Sequence, residues 1–432
     1  MLWTLRSSTL RPLQRCLSRN ISFTPNSHLP RITRSLSKNT PSKTLSFRES
    51  IARAGVPKSF VAEIKTPSIR NQVILFLVGS FVVFSIAAEE SNVETEWWVG
   101  KLSEASFAFK FREPTSDEIK KARQAELGRK LQAGLAQLKD ATEGWSQTVR
   151  SLAVWSYIQV FQPILDAGDG KRVCWAIGAA NTFVWAAWQF PRFQPFMMKH
   201  FAHNPLSGLS YTFLTSMFSH KSILHLALNC MALASFGSAA SLYLRSEQQK
   251  NSSLREANIS WHFLAFYLSS GLFSGMASHI MTTKFIYPRM IQRMATEAKT
   301  INAAPSVGAV ASETAATAAH SKETILPSLG ASGAIYAAVT LTALAFPHTE
   351  IALMIPPSFP IPIQWGVGGL VVIDIIGALR GWRMFDHWAH LGGAAFGVWY
   401  YNYGPQMWEF LRRANLGLPS KGQSSKEVPR QV

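Results

Sequence analysis

The strongest constraint on this 432-residue chain is a set of seven separate apolar runs, at 72–88, 173–189, 222–244, 260–281, 328–346, 361–379 and 386–403. Each is within reach of the ~17–20 residues that an α-helix needs to cross the hydrocarbon core of a bilayer. Backbone polar groups find no water there, and a helix satisfies them within its own segment. The predicted fold class is therefore all-α, a polytopic membrane helical bundle. Composition agrees: charged residues are 16% of the chain, against ~25% in an ordinary soluble protein. That is too few to cover several water-facing domains. Trp97, Trp98, Trp188, Trp382 and Trp388 fall near the ends of runs, where amphipathic rings favour the membrane interface.

The formal net charge of +18 would suit nucleic acid, but its distribution excludes that reading. The first 48 residues hold nine Lys and Arg with no acid, together with nine Ser and six Thr. Basic, Ser-rich and acid-free is the composition of a mitochondrial transit peptide. Residues 1–50 are expected to be that address and 51–71 a linker. Residues 72–88 then form an extra N-terminal span, 89–171 a soluble helical insert, 172–404 a six-span core and 405–432 a polar tail. Within the insert, Ser116 followed by Asp117 and Glu118 suits a helix start. Leu127, Leu131, Leu135 and Leu138 then recur at helical spacing, which fits a helix packed on its own protein or lying on the membrane surface. The Ala/Ser/Thr-rich stretch 297–320 reads as a mobile loop. Three cysteines, Cys16, Cys174 and Cys230, exclude a disulfide framework.

Polar residues inside spans are expensive and by default functional. The third run opens with His220, His225 and Asn229, the fifth with Gly330, Ser332 and Gly333, and the seventh with Asp386, His387, His390 and Gly393; the sixth carries Asp374 alone. The third, fifth and seventh spans enter the membrane from the same face. His225, Ser332 and His390 each lie four or five residues inside, roughly 6–8 Å deep at 1.5 Å per residue. Three groups at matched depth could share one water-accessible cavity. A serine hydroxyl becomes a useful nucleophile once a base takes its proton, and His390 is the candidate base. The oxyanion that follows needs preorganised donors. His225 and Asn229, at i and i+4 on one helix face, could supply them with the Ser332 backbone N–H. Tyr336, one turn below Ser332, is placed to stack on an imidazole. Gly333, Gly393 and Gly397 would let the two helices approach closely.

Gly330-x-Ser332-Gly333, His225-x-x-x-Asn229 and Ala389-His390-x-x-Gly393 together resemble the rhomboid intramembrane serine proteases. The resemblance covers about residues 172–404. The extra span and transit peptide resemble the one-plus-six mitochondrial branch, which places the chain in the inner membrane. The resemblance implies a Ser332–His390 dyad with no third acid, and His225 and Asn229 as oxyanion donors; the residues themselves offer no cofactor site. It further implies single-span membrane proteins as substrates, a mitochondrial dynamin-like GTPase among them. Tyr211-Thr212 stands where bacterial members often carry Trp-Arg. A rhomboid-like protein that binds membrane clients without cutting them is the alternative; such proteins usually lack the serine or the histidine, and this chain has both.

Other chemistries fit less well. A membrane metalloprotease would carry His-Glu-x-x-His, and no such string occurs, so no metal site is expected. An aspartyl protease would need two intramembrane acids, and a soluble hydrolase a Gly-x-Ser-x-Gly elbow where position 334 is Ala. Asp386 reads as a helix N-cap and Asp374 as a packing polar residue or an interhelical hydrogen bonder rather than a catalyst. His387 is a rival for the base role, and His220 either supports the oxyanion side or caps its span. The basic loops lie on the side of the N-terminal tail, which by the positive-inside rule turns the catalytic entrance toward the matrix.

Overall fold

The computed structural model describes residues 66–303, 325–352 and 359–419. The expected transit peptide, most of the linker, positions 304–320 of the expected loop and the end of the tail lie outside the described residues.

Helix α1, Arg70–Ala105, has 36 residues and is about 54 Å long at 1.5 Å per residue, against ~30 Å for the hydrocarbon core. The expected boundary at 88/89 therefore falls inside one continuous helix. Its inner face explains this. Phe84, Ala87, Ala88, Ser91, Asn92, Thr95 and Trp98 are all buried and recur at three- and four-residue steps, so the packing stripe runs past the point where the outer face turns polar. Leu77, Val78, Phe81 and Ile86 are exposed, as lipid-facing residues are.

The insert folds as a helical hairpin of α2, Ser116–Ala141, and α3, Gln147–Asp166. The start of α2 is a capping box one residue earlier than expected. Glu118 N–H donates to Thr115 Oγ1 and the Glu118 carboxylate accepts from Thr115 N–H. The Arg112 side chain and the Thr115 backbone hold the Glu118 carboxyl at about 2, well below the usual carboxylate range. The Leu127, Leu131, Leu135 and Leu138 stripe is half-buried. Tyr157 Oη on α3 donates to the Leu131 carbonyl at 2.9 Å, so this helix packs on its own protein.

The core then runs through α4, Asp169–Trp188, the short α5, Gln194–His200, and α6, Thr212–Ser216. α7, Ile223–Asn251, contains a π turn at Leu233–Gly237. α8, Ser260–Met281, continues through another at Thr282–Ile286 into α9, Tyr287–Ala303. Positions 297–303 of the expected loop thus belong to a helix. α10, Ser332–Ala345, is followed by the two-residue antiparallel strands β1, Glu350–Ile351, and β2, Ile361–Pro362. α11, Ile363–Arg380, and α12, His387–Asn415, close the bundle. The expected tail from 405 therefore begins as the last turns of α12.

Among the described residues, α1, α7 and α11 are long and apolar enough to cross a membrane by length and composition alone. The inner helices escape that test for a physical reason. α8 packs against α1, α10 and α12, thirteen of its 22 residues are buried, and Ser269, Ser270, Ser274 and Ser278 are among them. Small polar residues there allow close helix contact at no cost in lipid-facing surface. α10 has only 14 residues, about 21 Å, so its first residue sits below the membrane surface when its last reaches the other side.

Two features fasten α12. Pro405 lies inside it and cannot donate to the Tyr401 carbonyl; Tyr243 Oη on α7 donates to that carbonyl at 3.3 Å instead. Arg412 is buried, with its Nε donating to Asn92 Oδ1 of α1 at 2.8 Å and an Nη donating to the Arg255 carbonyl at 2.6 Å. Glu256 lies 3.9 Å from the guanidinium. The extra helix, the last helix and the α7–α8 loop thereby share one polar joint.

Candidate active site

The chain reaches α10 through a constrained segment. Gly330 has φ +129°, a conformation that glycine alone holds without strain, and a Cβ there would lie 2.8 Å from His225 Cε1. Gly330 N–H donates to the Ser216 carbonyl at 2.9 Å, and Ser328 exchanges backbone hydrogen bonds with His203. Ala331 N–H donates to His220 Nε2 over a long 3.5 Å, which gives His220 a supporting place beside the serine loop. Tyr211 and Thr212 hold the neighbouring loop internally, on His200 and His203.

Ser332 then opens α10, where backbone N–H groups of the first turn have no intrahelical partner. His390 comes from the first turn of α12, whose N-cap is Asp386. The Asp386 carboxylate accepts from Ala389 N–H at 3.0 Å and from the Ser278 and Ser328 hydroxyls. His390 Nε2 lies 2.8 Å from Ser332 Oγ. The glycines make that distance possible: a Cβ on Gly393 would fall 2.0 Å from the Gly333 carbonyl oxygen, and one on Gly397 2.6 Å from that of Ala337. A Cβ on Gly333 would strike Ser274 Oγ of α8 at 2.4 Å. Tyr336 stacks on the His390 ring with centroids 4.4 Å apart and planes 10° from parallel.

Asp374 has a larger part here than its sequence position suggested. Its Oδ1 accepts from His390 Nδ1 at 3.1 Å and from His387 Nδ1 at 2.6 Å, and its Oδ2 accepts from Tyr336 Oη. A carboxylate buried in a membrane-spanning helix is costly unless fully paired, and three donors pair this one. The arrangement also assigns the tautomer. With Nδ1–H directed to the carboxylate, His390 Nε2 is free to accept the serine proton. The expectation of a serine–histidine pair without an acid beside it therefore needs correction. The available signal was the cost of a lone acid in the run GGLVVIDIIGALR; which helix face it occupies depends on tertiary packing. Gly377, one turn on, leaves room for the His387 ring, which a Cβ would meet at 2.5 Å. His387 thus contacts the acid and not the serine.

A cavity of about 100 Å³, lined by Phe213, Met217, His225, Gly330, Ser332 and His390 among others, opens beside the hydroxyl. It has room for several waters. His225 reaches it, backed edge-to-face by His220 at 5.0 Å. Asn229 does not line it; its Nδ2 donates to the His225 carbonyl at 2.8 Å. The structure therefore brings together Ser332, His390, His225, Tyr336, Gly330, Gly333 and Gly393, and leaves Asn229 one turn away, bracing its own helix. Asp374, His387 and His390 offer ligand atoms within 4.8 Å of one another, a set able to hold a metal ion. All three are already engaged with each other by hydrogen bonds.

Comparison with known proteins agrees with this geometry. The family description Rhomboid domain matches residues 207–405, the segment that carries His225, Ser332, Tyr336, Asp374 and His390. This chain carries a rhomboid domain. The chain is 30% identical to presenilin-associated rhomboid-like protein A, mitochondrial, of Danio rerio over 266 residues, 59% of this chain and 56% of that one. It is 32% identical to the human presenilin-associated rhomboid-like protein, mitochondrial, over 243 residues, 56% and 51% of the two chains. Rhomboid protein 1, mitochondrial, of Saccharomyces cerevisiae is 27% identical over 233 residues, 53% and 52%. The chain thus matches about half the length of these curated relatives. With its apolar helices, it is a mitochondrial membrane protein built as an all-α bundle.

Proposed function

We propose that this chain is an intramembrane serine endopeptidase of the mitochondrial inner membrane. The observation that carries the reading is the hydrogen-bonded series Ser332 Oγ, His390, Asp374, set beside a cavity below the membrane surface. In the first step His390 Nε2 takes the hydroxyl proton while Ser332 Oγ bonds to the scissile carbonyl carbon. The imidazolium so formed is stabilised by Asp374, which stays ionised. The oxyanion develops against the Ser332 backbone N–H and His225, where a helix N-terminus adds favourable potential. His390 then protonates the leaving amine as the C–N bond breaks. A water from the cavity, deprotonated by the same Nε2, releases the acyl group and restores the serine.

The substrate class follows from location. A peptide carbonyl within a membrane helix is hydrogen-bonded and shielded, so the substrate segment must unwind locally before Ser332 can reach it. Membrane-anchored proteins with a single span and helix-breaking residues near the cut fit that demand, and a mitochondrial dynamin-like GTPase would be one such client.

A fluorophosphonate serine-hydrolase probe tests the reading on purified protein, alongside cleavage of a single-span reporter. Wild type should be labelled and active, with Ser332→Ala and His390→Ala unlabelled and inactive. Equal cleavage by wild type and Ser332→Ala would overturn it in favour of a client-binding protein.

A further inference from the structure

We propose that α3 is a membrane-surface helix. Its Val149, Leu152, Trp155 and Val160 face would lie in the headgroup–acyl boundary of the bilayer that the core spans. The inference stands apart from the proteolytic reading, because the helix belongs to the insert and not to the rhomboid domain.

The helix has two distinct sides. At 100° per residue, Arg150, Tyr157, Phe161 and Leu165 share the side that meets α2, through Tyr157 on the Leu131 carbonyl and Leu165 against Gly128. Val149, Leu152, Trp155 and Val160 occupy an arc of about 140° on the other side. None of the twenty residues of α3 is buried. Leu152 is 60% exposed and Trp155 58%. Between Arg150 and Asp166 the sequence SLAVWSYIQVFQPIL carries no charge at all. A water-facing helix side would carry Lys, Glu or Asp. Here the outward side holds apolar residues interleaved with Thr148, Ser156 and Gln159, and its one charged residue is Asp166 at the very end of the helix.

What covers this side follows from what comes next in the chain. Asp166 ends α3 and Asp169 begins α4, whose apolar run starts at Val173. The junction is braced, since Arg172 donates to the Ala167 carbonyl at 2.9 Å and to Gln124 Oε1 at 2.6 Å. Lys171 Nζ sits 5.3 Å over the Trp175 ring, the pairing of an ammonium with an interfacial aromatic that marks headgroup level. The C-terminal end of α3 thus lies seven residues before the apolar run of α4, in which Phe183 is 78% exposed. α4, whose exposed residues include Phe183, begins three residues after α3 ends, and lipid is the occupant that this closeness along the chain supplies.

The test uses the full chain in vesicles of phosphatidylcholine with an anionic phospholipid. Cys16, Cys174 and Cys230 are replaced by alanine and nitroxide labels are placed at Leu152→Cys, Trp155→Cys and, as a water-facing control on α2, Lys130→Cys. Labels at 152 and 155 should collide more with oxygen than with a nickel chelate, at a depth of about 5–10 Å, and the label at 130 should show the reverse. A water-like ratio at 152 and 155 would overturn the proposal. So would protection from both reagents with spin–spin broadening that disappears on dilution with unlabelled protein, which would mean a second copy covers the face. A second measurement needs no substitution: a diazirine phospholipid is photolysed with the native chain and its adducts are mapped. Adducts within 149–160 are expected, and their absence while Phe183 is labelled would count against the helix lying in lipid.

Discussion

Asp374 and His390 come from different helices, α11 and α12, yet the carboxylate meets the imidazole at Nδ1, 3.1 Å away, on the ring edge opposite the one that meets Ser332. The imidazole is therefore fixed at both nitrogens. α11 is otherwise loosely held, with only Ile363, Val367, Asp374 and Gly377 buried, so this contact is a principal link between α11 and the site.

Asp374→Asn should lower kcat by about 10²–10⁴-fold with little change in KM, because an amide no longer favours the Nδ1–H tautomer or the imidazolium. Steady-state cleavage of a reporter checks this, with an unchanged thermal transition showing that the fold is intact. A drop below threefold would remove the acid from the reaction.

His225→Ala should cost about 10²–10³-fold in kcat, the usual loss for one oxyanion donor. Asn229→Ala should cost clearly less, since its amide is spent on the His225 carbonyl and acts on the cavity only through that helix turn. Parallel kinetics of the two variants decide the order. An Asn229 effect as large as that of His225 would mean the amide turns toward the substrate during reaction.

Gly393→Ala places a methyl 2.0 Å from the Gly333 carbonyl oxygen, a backbone atom that cannot rotate aside. Overpacking of this kind costs about 1–3 kcal/mol, and parting α10 from α12 lengthens the Ser332–His390 contact. A displacement of ~1 Å is enough for about a 10²-fold loss of rate. Denaturation in detergent and probe labelling should therefore both suffer, whereas Gly369→Ala, in open space on α11, should leave both unchanged.

Arg412→Ala removes the guanidinium from buried Asn92 and from buried Glu256, whose charge is then met only by the Trp408 and Ser91 donors. Removing one member of a buried charged group typically costs about 3–5 kcal/mol. The thermal transition should fall, while probe labelling per folded molecule at low temperature stays near wild type, because the joint lies among α1, α12 and the α7–α8 loop and not at Ser332.

The sequence resolved what depends on chain-local physics. Apolar runs of span length, an acid-free basic tail, and Ser332, His225 and His390 at matched depth are properties of spacing and transfer free energy, readable without coordinates. The same local logic identified Asp386 as an N-cap, because a cap satisfies N–H groups only three residues away. It erred where an element's limits depend on its neighbours. α1 runs past residue 88 because Ser91, Asn92 and Thr95 bury polar groups against the α7–α8 loop and α12, a partnership invisible in a hydropathy profile.

By itself, then, the sequence determined that the chain is a membrane-embedded helical bundle and that a hydroxyl and an imidazole enter it from one side. Tertiary structure decided which polar groups touch. A helix has a face for every residue, and packing alone selects the one that points inward: it turned Asp374 onto His390, tied Asn229 back to its own helix, and left one side of α3 uncovered. The Asp374 contact rests on how α11 and α12 pack against each other, and spacing along a single chain carries no information about how helices pack.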